Sequence, residues 1–181
     1  MIRKLKPIEL RTSEPLPGAI DKIPRNDLYI ILDNIMDTFN VGTIFRVADA
    51  VAVKKLLLCG ITEAPPNTKV KRASVNTWQW VPWEHSASTI QAIKRLKKEV
   101  PGLSVIAIEQ TSHSIPYATA TYRFPMAIVV GHETRGVSTD VLKLCDQVIE
   151  LPMHGINTSL NVIVALSVVV FKTLEQVTAS S

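Results

Sequence analysis

Short apolar runs alternate with helix-forming segments along most of this chain, and this alternation most constrains its fold. Strands separated by helices pair in parallel, because each crossover returns the chain to the same end of the sheet. The sequence predicts an α/β fold over residues 28–181, a parallel sheet with helices on both faces, preceded by a Pro- and charge-rich arm at 1–27. The strand candidates are LYIIL (28–32), KLLLC (55–59), SVIAI (104–108), MAIVV (126–130) and QVIEL (147–151), with a weaker one near Trp80.

Three segments carry the signals of helices. After the first run, apolar residues recur at the i, i+3, i+4 and i+7 spacing of one buried helix face, at Val41, Ile44, Phe45, Ala48 and Ala52. The segment 86–100 begins with serines suited to capping and ends with cations that favour a helix C-terminus. Ser138 has the character of a further cap and predicts a short helix over STDVLKLC.

Composition and the lack of sorting signals predict a cytoplasmic globular protein without a membrane partner. Hydrophobic residues are 46% and charged residues 20% of the 181 residues, enough for one well-filled core. The longest apolar run, 162–171, falls well short of the ~20 residues that span a bilayer. The N-terminus lacks the apolar region of a secretory signal.

The two cysteines, Cys59 and Cys145, each follow a short apolar segment. They have neither the C-x-x-C spacing nor the Cys/His clustering that metal binding requires. Both are predicted to be reduced core residues, the habit of free cysteine. No metal site is predicted.

Basic residues give the chain a net charge of +4, a small excess in the direction expected for a polyanion partner. A solvated helix face explains the basic residues of 94–98 at least as well as RNA contacts do. Trp78, Trp80 and Trp83 are either base-stacking surfaces or, more commonly at this spacing, core and dimer packing. The basic clusters are Arg3, Lys4, Lys6 and Arg11, then Lys69, Lys71 and Arg72, then Lys94, Arg95, Lys97 and Lys98.

Three polar clusters follow apolar runs, where ligands of open α/β sheets bind. In the first, 33–46, Asn40 is a capping candidate and Gly42 permits close approach of a backbone or a ligand. The guanidinium of Arg46 suits a phosphate or a carboxylate. Equally, it could pair with an internal acid such as Asp33, Asp37 or Glu133.

The second cluster, GHETRGVS at 131–138, places Gly131, Glu133 and Gly136 between a strand and a capped helix. The phosphate-binding patterns GxGxxG and GxxxxGK[ST] are absent, which weighs against a dinucleotide or nucleoside-triphosphate site. The G-x-S-x-G elbow of hydrolases is absent too. Taken alone, the segment is equally well explained as a strand-to-helix turn.

The third cluster is LPMHGINTSLN at 151–161, which precedes an apolar run. Residues 157–159 are candidates for the N-cap of a helix, whose free N–H groups can hold an anion or a carboxylate. Asn161 is predicted inside the first helical turn, with apolar residues around it. An unpaired buried amide would cost about 1–3 kcal/mol, so Asn161 needs a partner in the protein or in a substrate.

Together, N-x-G-x-x-x-R at 40–46, G-x-E-x-x-G-x-S at 131–138 and L-P-M-x-G-x-x-x-S-L-N at 151–161 resemble the three motifs of SpoU/TrmH-type RNA 2′-O-methyltransferases of the SPOUT superfamily. The resemblance covers roughly residues 28–175. It implies a C-terminal deep trefoil knot that binds S-adenosyl-L-methionine, a homodimer that completes each site, and tRNA or rRNA as substrate. The arm at 1–27 is too short to be the RNA-binding domain of many relatives.

The resemblance assigns roles by position. Arg46 matches the catalytic arginine, and the other motif residues with catalytic roles are Asn40, Glu133, Ser159 and Asn161. The cofactor would be held mainly by backbone groups around Ile108, Glu109, Gly131, Leu151, Met153, Ser159 and Leu160. The resemblance implies that Arg46 is the base, but because arginine keeps its proton to a pKa above ~12, we expect it to act mainly through its charge. A base role stays open for a site that strongly depresses that pKa.

Several residues depart from the usual motifs, and these departures bear on the choice of RNA more than on activity. They are Thr38, His132, Thr134, Arg135 and Ile163. Two other functions fit the predicted fold. One is a non-catalytic RNA-binding or assembly factor that retains the knotted fold, and the other is a small-molecule or nucleotide-binding α/β protein.

Overall fold

The computed structural model describes residues 2–6, 9 and 15–179, except for the side chain of Ala179. Part of the predicted arm, Arg11 included, therefore lies outside the described residues. Just before the sheet, the Arg25 guanidinium donates to the carbonyl oxygens of Val53 at 3.3 Å and Trp80 at 2.7 Å. These bonds fix where the chain enters the domain.

The described residues form a seven-stranded sheet in the order β3-β2-β1-β6-β4-β7-β5, in which every pairing is parallel. The prediction of a parallel α/β sheet is confirmed. The weak candidate near Trp80 begins later, and the two-residue β5 is too short to show a pattern in the sequence. The strands are β1 (Asn26–Asp33), β2 (Val53–Cys59), β3 (Trp83–Ser86), β4 (Ser104–Ile108), β5 (Ile115–Pro116), β6 (Met126–Gly131) and β7 (Gln147–Glu150).

Five α-helices surround the sheet within the described range. The first predicted helix ends at Ala50, because the chain turns through Ala52 at φ +45°. The predicted helix at 86–100 forms behind a Ser88 cap. The helix at Thr68–Ser74 was not predicted, because its basic sequence TKVKRAS has little apolar periodicity. The helices are α1 (Thr38–Ala50), α2 (Thr68–Ser74), α3 (Thr89–Glu99), α4 (Thr139–Leu142) and α5 (Val162–Ala179).

The side chains of β1 alternate between two buried layers, as a sheet covered on both faces requires. Leu28, Ile30 and Leu32 join the layer under α1 and α5, to which α2 adds Val70. The intervening residues of β1 join the layer under α3 and α4. Helices on both faces are therefore confirmed.

All three tryptophans pack on the core, and Trp80 is buried within it. Trp80 is buried and donates its Nε1–H to Asp49 at 2.8 Å, while Trp83 packs edge-on against Phe45 with ring centroids 6.2 Å apart. Neither ring is free to stack on a base. Trp78 is half-buried, and the Lys71 ammonium lies 5.0 Å from the centre of its ring.

The two cysteines are free thiols, Cys59 buried and Cys145 half-buried. Burial raises the pKa of each to about 12, so the reactive thiolate is scarce at neutral pH. Within the described part of the chain, no cluster of three His, Cys, Asp or Glu could hold a metal ion. Over the same residues, no helix is both long enough and apolar enough to cross a membrane.

Candidate active site

A cavity of about 560 Å³ lies beyond the carboxyl ends of β4, β6 and β7. This volume is in the range of small-molecule sites, roughly 300–1,000 Å³. Its walls are the strand ends and two loops, 132–138 after β6 and 151–161 after β7. The lining residues include all seven predicted cofactor-binding residues, which are Ile108, Glu109, Gly131, Leu151, Met153, Ser159 and Leu160.

Glycine at 131 is required because the following loop folds back onto the end of β6. His132 and Gly136 exchange two backbone hydrogen bonds, at 3.1 and 2.7 Å, which closes a tight turn. A Cβ at Gly131 would overlap backbone atoms of Gly136 and Val137. Backbone atoms cannot rotate away, so a side chain at 131 would displace the cavity wall.

Two carboxylates hold the loop 132–138 by accepting hydrogen bonds from its backbone N–H groups. Asp33, 2% exposed at the end of β1, accepts from Ser138 N at 2.9 Å and from Thr89 Oγ1 at 2.6 Å. Glu109 accepts from Val137 N at 2.7 Å. Adjacent amides are thus held by acids from two strands, which fixes the wall that lines the cavity. The positioning role of Asp33 was not predicted, although an acid that ends an apolar strand run was a visible signal.

Side chains from the three motifs form one hydrogen-bonded chain. Asn161 donates through Nδ2 to Asn40 Oδ1 at 3.3 Å, and Asn40 donates through Nδ2 to Glu133 Oε1 at 2.8 Å. Glu133 also accepts from the backbone N–H groups of Met36 and Asp37 at 3.1 and 3.0 Å. The starts of α1 and α5 are therefore tied to the loop after β6.

Glu133 is fixed as an anion within this chain. Partial burial would raise the pKa of its carboxyl, but hydrogen bonds from Asn40 and from backbone amides outweigh that effect and lower the pKa below 4.5. A carboxylate with a lowered pKa is a poor proton acceptor at neutral pH. Glu133 is thus suited to hold Asn40 in place rather than to carry a proton.

Glu133→Gln is expected to lower the melting temperature near neutral pH and much less in acid. Because the folded-state pKa of Glu133 lies below its unfolded value, its stabilisation is present above pH 4.5 and is lost as pH falls through the folded pKa. Thermal unfolding of both proteins from pH 7 to pH 3 measures the difference, with the exposed Glu175→Gln as control. A wild-type-to-variant difference that stays constant with pH would contradict this role.

The helix starts differ from prediction in two places. Asp37, not Asn40, caps α1 by accepting from Phe39 N at 2.8 Å, and Asn40 lies buried in the first turn. Asn161, not a residue of 157–159, precedes α5 and accepts from Ile163 N at 2.8 Å. The prediction of a buried Asn161 inside the helix is wrong, because 151–161 remains an irregular, exposed loop along the cavity.

Ser138 occupies the N-cap position of α4, but its side chain makes no capping bond. Ser159 is exposed where it lines the cavity. Gly42 packs against α2, since a Cβ there would lie 2.5 Å from the Ala73 Cβ. The close approach predicted at Gly42 is therefore a helix–helix contact.

Arg46 is exposed on α1 and does not line the cavity of its own chain. The alternative of an internal ion pair is not found in the described residues. Asp33 and Glu133 accept the bonds given above, and Asp37 caps α1. The guanidinium is free to meet a group from outside this chain.

Comparison with known proteins gives consistent matches. The Thermus thermophilus tRNA (guanosine(18)-2′-O)-methyltransferase is 31% identical over 150 residues, which are 83% of this chain and 75% of the relative. The Aquifex aeolicus TrmH/SpoU tRNA modifying enzyme superposes with a TM-score of 0.75 at 28% identity, covering 84% of this chain and 76% of that one.

An AdoMet-bound rRNA methyltransferase from Sinorhizobium meliloti superposes with a TM-score of 0.76 at 26% identity. That match covers 87% of this chain and 59% of the other. Residues 27–171 match the SpoU rRNA Methylase family, a span that contains all three motifs. This chain belongs to the SpoU rRNA Methylase family.

Proposed function

We propose that this protein is an S-adenosylmethionine-dependent RNA ribose 2′-O-methyltransferase that acts on tRNA or rRNA. The observation that carries the proposal is the hydrogen-bonded chain Asn161–Asn40–Glu133 at the edge of the cavity. It joins one residue from each motif. The relatives named as tRNA 2′-O-methyltransferases and the AdoMet-bound S. meliloti structure support the assignment.

The cavity fits S-adenosylmethionine in size and in charge. Its apolar walls include Ile108, Leu151 and Leu160, and Gly131 leaves backbone groups accessible. Glu109, Glu133 and Glu150 also line it. Their carboxylates favour a cationic sulfonium and disfavour the phosphates of a nucleotide. This weighs against a nucleotide-binding protein with the same fold.

The chain's own residues position the reacting ribose. When bound, S-adenosylmethionine supplies the methyl carbon that bonds to the ribose 2′-oxygen as its carbon–sulfur bond breaks. Ser159 and Asn161, at the cavity wall, are suited to orient the 2′-hydroxyl. Arg46 then holds the adjacent phosphate and stabilises charge that develops on the oxygen as its proton leaves to solvent.

We further propose a homodimer in which Arg46 of each protomer completes the site of its partner. Arg46 does not line the cavity of its own chain. The outer face of α5 carries Val164, Val168 and Phe171, which are 48%, 36% and 54% exposed. Leu160 at the cavity edge extends this apolar stripe. Because α5 packs on the sheet with its inner face and has an apolar outer face, it is suited to pack against a second copy of this chain.

Val168→Asp with Phe171→Asp is expected to convert the dimer into monomers and to abolish methylation. Two carboxylates buried at an interface without partners would each be strongly unfavourable. Sedimentation velocity measures the association state. Ile61→Asp, at an apolar residue 56% exposed in the turn after β2, serves as the matched control and should remain dimeric. A wild-type monomer, or a fully active monomeric variant, would contradict the shared site.

A C-terminal trefoil knot is also proposed. The chain passes from β6 to β7, on the far side of β4, yet α5 packs in the layer of α1. In the proposed knot, the loop 151–161 recrosses the region of the loop 132–138. Tracing both loops in an experimental electron-density map tests this, and a loop 151–161 that passes outside the loop 132–138 would contradict it.

We also propose an N-terminal arm and a cytoplasmic location; the arm was predicted over 1–27, but β1 begins at Asn26, so it ends by Arg25. The family match begins at residue 27, which supports the arm. The two cysteines are free thiols, which supports a cytoplasmic location. Limited proteolysis that removes the arm and leaves the domain folded would test the first. Cell fractionation would test the second, and recovery of the protein outside the cytoplasmic fraction would contradict it.

Labelled S-adenosylmethionine incubated with the protein and total RNA tests the proposed function. Label in tRNA or rRNA is expected. RNA binding without transfer of label would instead indicate the non-catalytic RNA-binding factor. No incorporation into any RNA would contradict the enzyme assignment.

A further inference from the structure

A basic surface lies on α2 and the turn that follows it. We call it the α2 surface and define it by Lys69, Lys71, Arg72 and Trp78. Its three cations are exposed, and none has an ion-pair partner among the described residues. On α3, Arg95 pairs with Glu84 and Lys97 with Asp146, which leaves Lys94 and Lys98 as its exposed cations without an ion pair in the described residues. The α2 surface thus has free positive charge.

The ammonium of Lys71 lies over an aromatic ring of the same chain. It lies 5.0 Å from the centre of the Trp78 ring, a cation–π distance, and that ring packs on the core. The Lys71 carbonyl also accepts from Ser74 Oγ at 2.8 Å. The Trp78 ring therefore favours a position of the Lys71 ammonium near its face.

A strained turn brings Trp78 beneath Lys71. Val75 and Asn76 are consecutive left-handed residues, at φ +49° and +71°. A β-branched residue in this conformation is a genuine outlier, and such strain concentrates at functional sites. Thr77 Oγ1 donates to the Ser74 carbonyl at 2.8 Å and spans the turn. The strain in this turn independently marks the α2 surface as a candidate functional site.

The α2 surface adjoins the proposed catalytic arginine. Gly42 brings the backbones of α1 and α2 into contact, with the Val70 carbonyl oxygen 2.7 Å from where a Cβ would lie. Arg46 lies four residues further along α1, about one helical turn on the same face. The helix that carries the α2 surface therefore packs on the helix that carries Arg46.

We propose that the α2 surface binds the phosphate backbone of the substrate RNA beside the methylated nucleotide, with Lys71 and Arg72 as the phosphate contacts. This inference rests on the proposed function. The large exposed apolar side chains of the described chain lie outside 67–79, so this surface lacks what a membrane or a protein interface would use. Free cations with a positioned ammonium match a polyanionic chain.

Lys71→Gln with Arg72→Gln tests the assignment by the salt dependence of RNA binding. Each lost contact to single-stranded RNA should reduce the slope of log K against log salt by about 0.7, and affinity should fall about tenfold at moderate salt. Affinity for S-adenosylmethionine should not change. The matched control is Lys94→Gln with Lys98→Gln, exposed cations on α3 across the sheet, which should keep the wild-type slope.

Two results would overturn the proposal, and they are distinguishable. If the wild type methylates RNA but the α2 variant keeps the wild-type salt slope, as the α3 variant does, the assignment of the α2 surface to RNA binding is wrong. The proposed function then stands. If the wild type neither binds nor methylates any RNA, both fail. A reduced slope in the α2 variant alone, with normal cofactor affinity, supports the α2 surface.

Discussion

Replacement of Arg46 by alanine is expected to abolish methylation, by a factor of about 10²–10³ or more, the loss typical when a stabiliser of developing charge is removed. Affinity for S-adenosylmethionine should stay near wild type, because Arg46 does not line the cavity of its own chain and is assigned, at its partner's site, to the phosphate of the substrate and not to the cofactor. Stability should also be preserved, since the side chain is exposed and has no internal acid partner in the described residues.

Single-turnover methylation and calorimetric titration of S-adenosylmethionine measure the two expectations for Arg46→Ala separately. Arg46→Lys should recover part of the rate, because it restores the charge but not the bidentate geometry. Lys54→Ala, which removes an exposed cation paired with Asp27 at 3.1 Å, is the control and should keep full activity. Equal activity of Arg46→Ala and wild type would remove Arg46 from the mechanism.

Gly131→Ala is expected to lower the affinity for S-adenosylmethionine about tenfold or more, because a Cβ there would overlap the backbone of Gly136 and Val137. The overlap must move the loop 132–138, which lines the cavity. Gly155→Ala is a matched control, because a Cβ at Gly155 meets nothing within 4 Å. Cofactor titration of both variants measures the effect, and equal affinities would contradict the assignment of the cavity.

Mixing Arg46→Ala with Gly131→Ala, at a cofactor concentration too low to fill the Gly131→Ala cavity, tests whether a site is shared. In a heterodimer of Arg46→Ala and Gly131→Ala, one site combines an intact cavity with an intact Arg46. Equal mixing with full exchange should then restore about a quarter of wild-type activity, because half of the dimers are mixed and each has one good site. No recovery after demonstrated exchange would place both residues in the same protomer's site.

The sequence predicted most of the sheet, because buried parallel strands are continuous apolar runs that need no knowledge of their neighbours. All seven residues predicted from the sequence to bind the cofactor line one cavity. Their binding of the cofactor is still a prediction. Strand ends of a parallel sheet meet at one edge, so polar residues that follow separate runs converge there.

What the sequence could not predict depends on contacts between distant segments. Asn40 was predicted as a cap, but a carboxylate 93 residues away holds its amide. Asn161 was predicted to be buried in a helix, whereas the helix starts one residue later. The role of Asp33 depends on an amide 105 residues away. Local pattern carries no information on such pairs, and the basic α2 lacked apolar periodicity to reveal it.

The most direct test of the central claim is the chemical position of the transferred methyl group in RNA. Ribose 2′-O-methylation makes the adjacent phosphodiester resistant to alkaline hydrolysis, because the attacking hydroxyl is blocked. The wild-type protein should place label from S-adenosylmethionine in alkali-resistant dinucleotides, and Arg46→Ala should place none. Label recovered in mononucleotides as methylated bases would contradict the account.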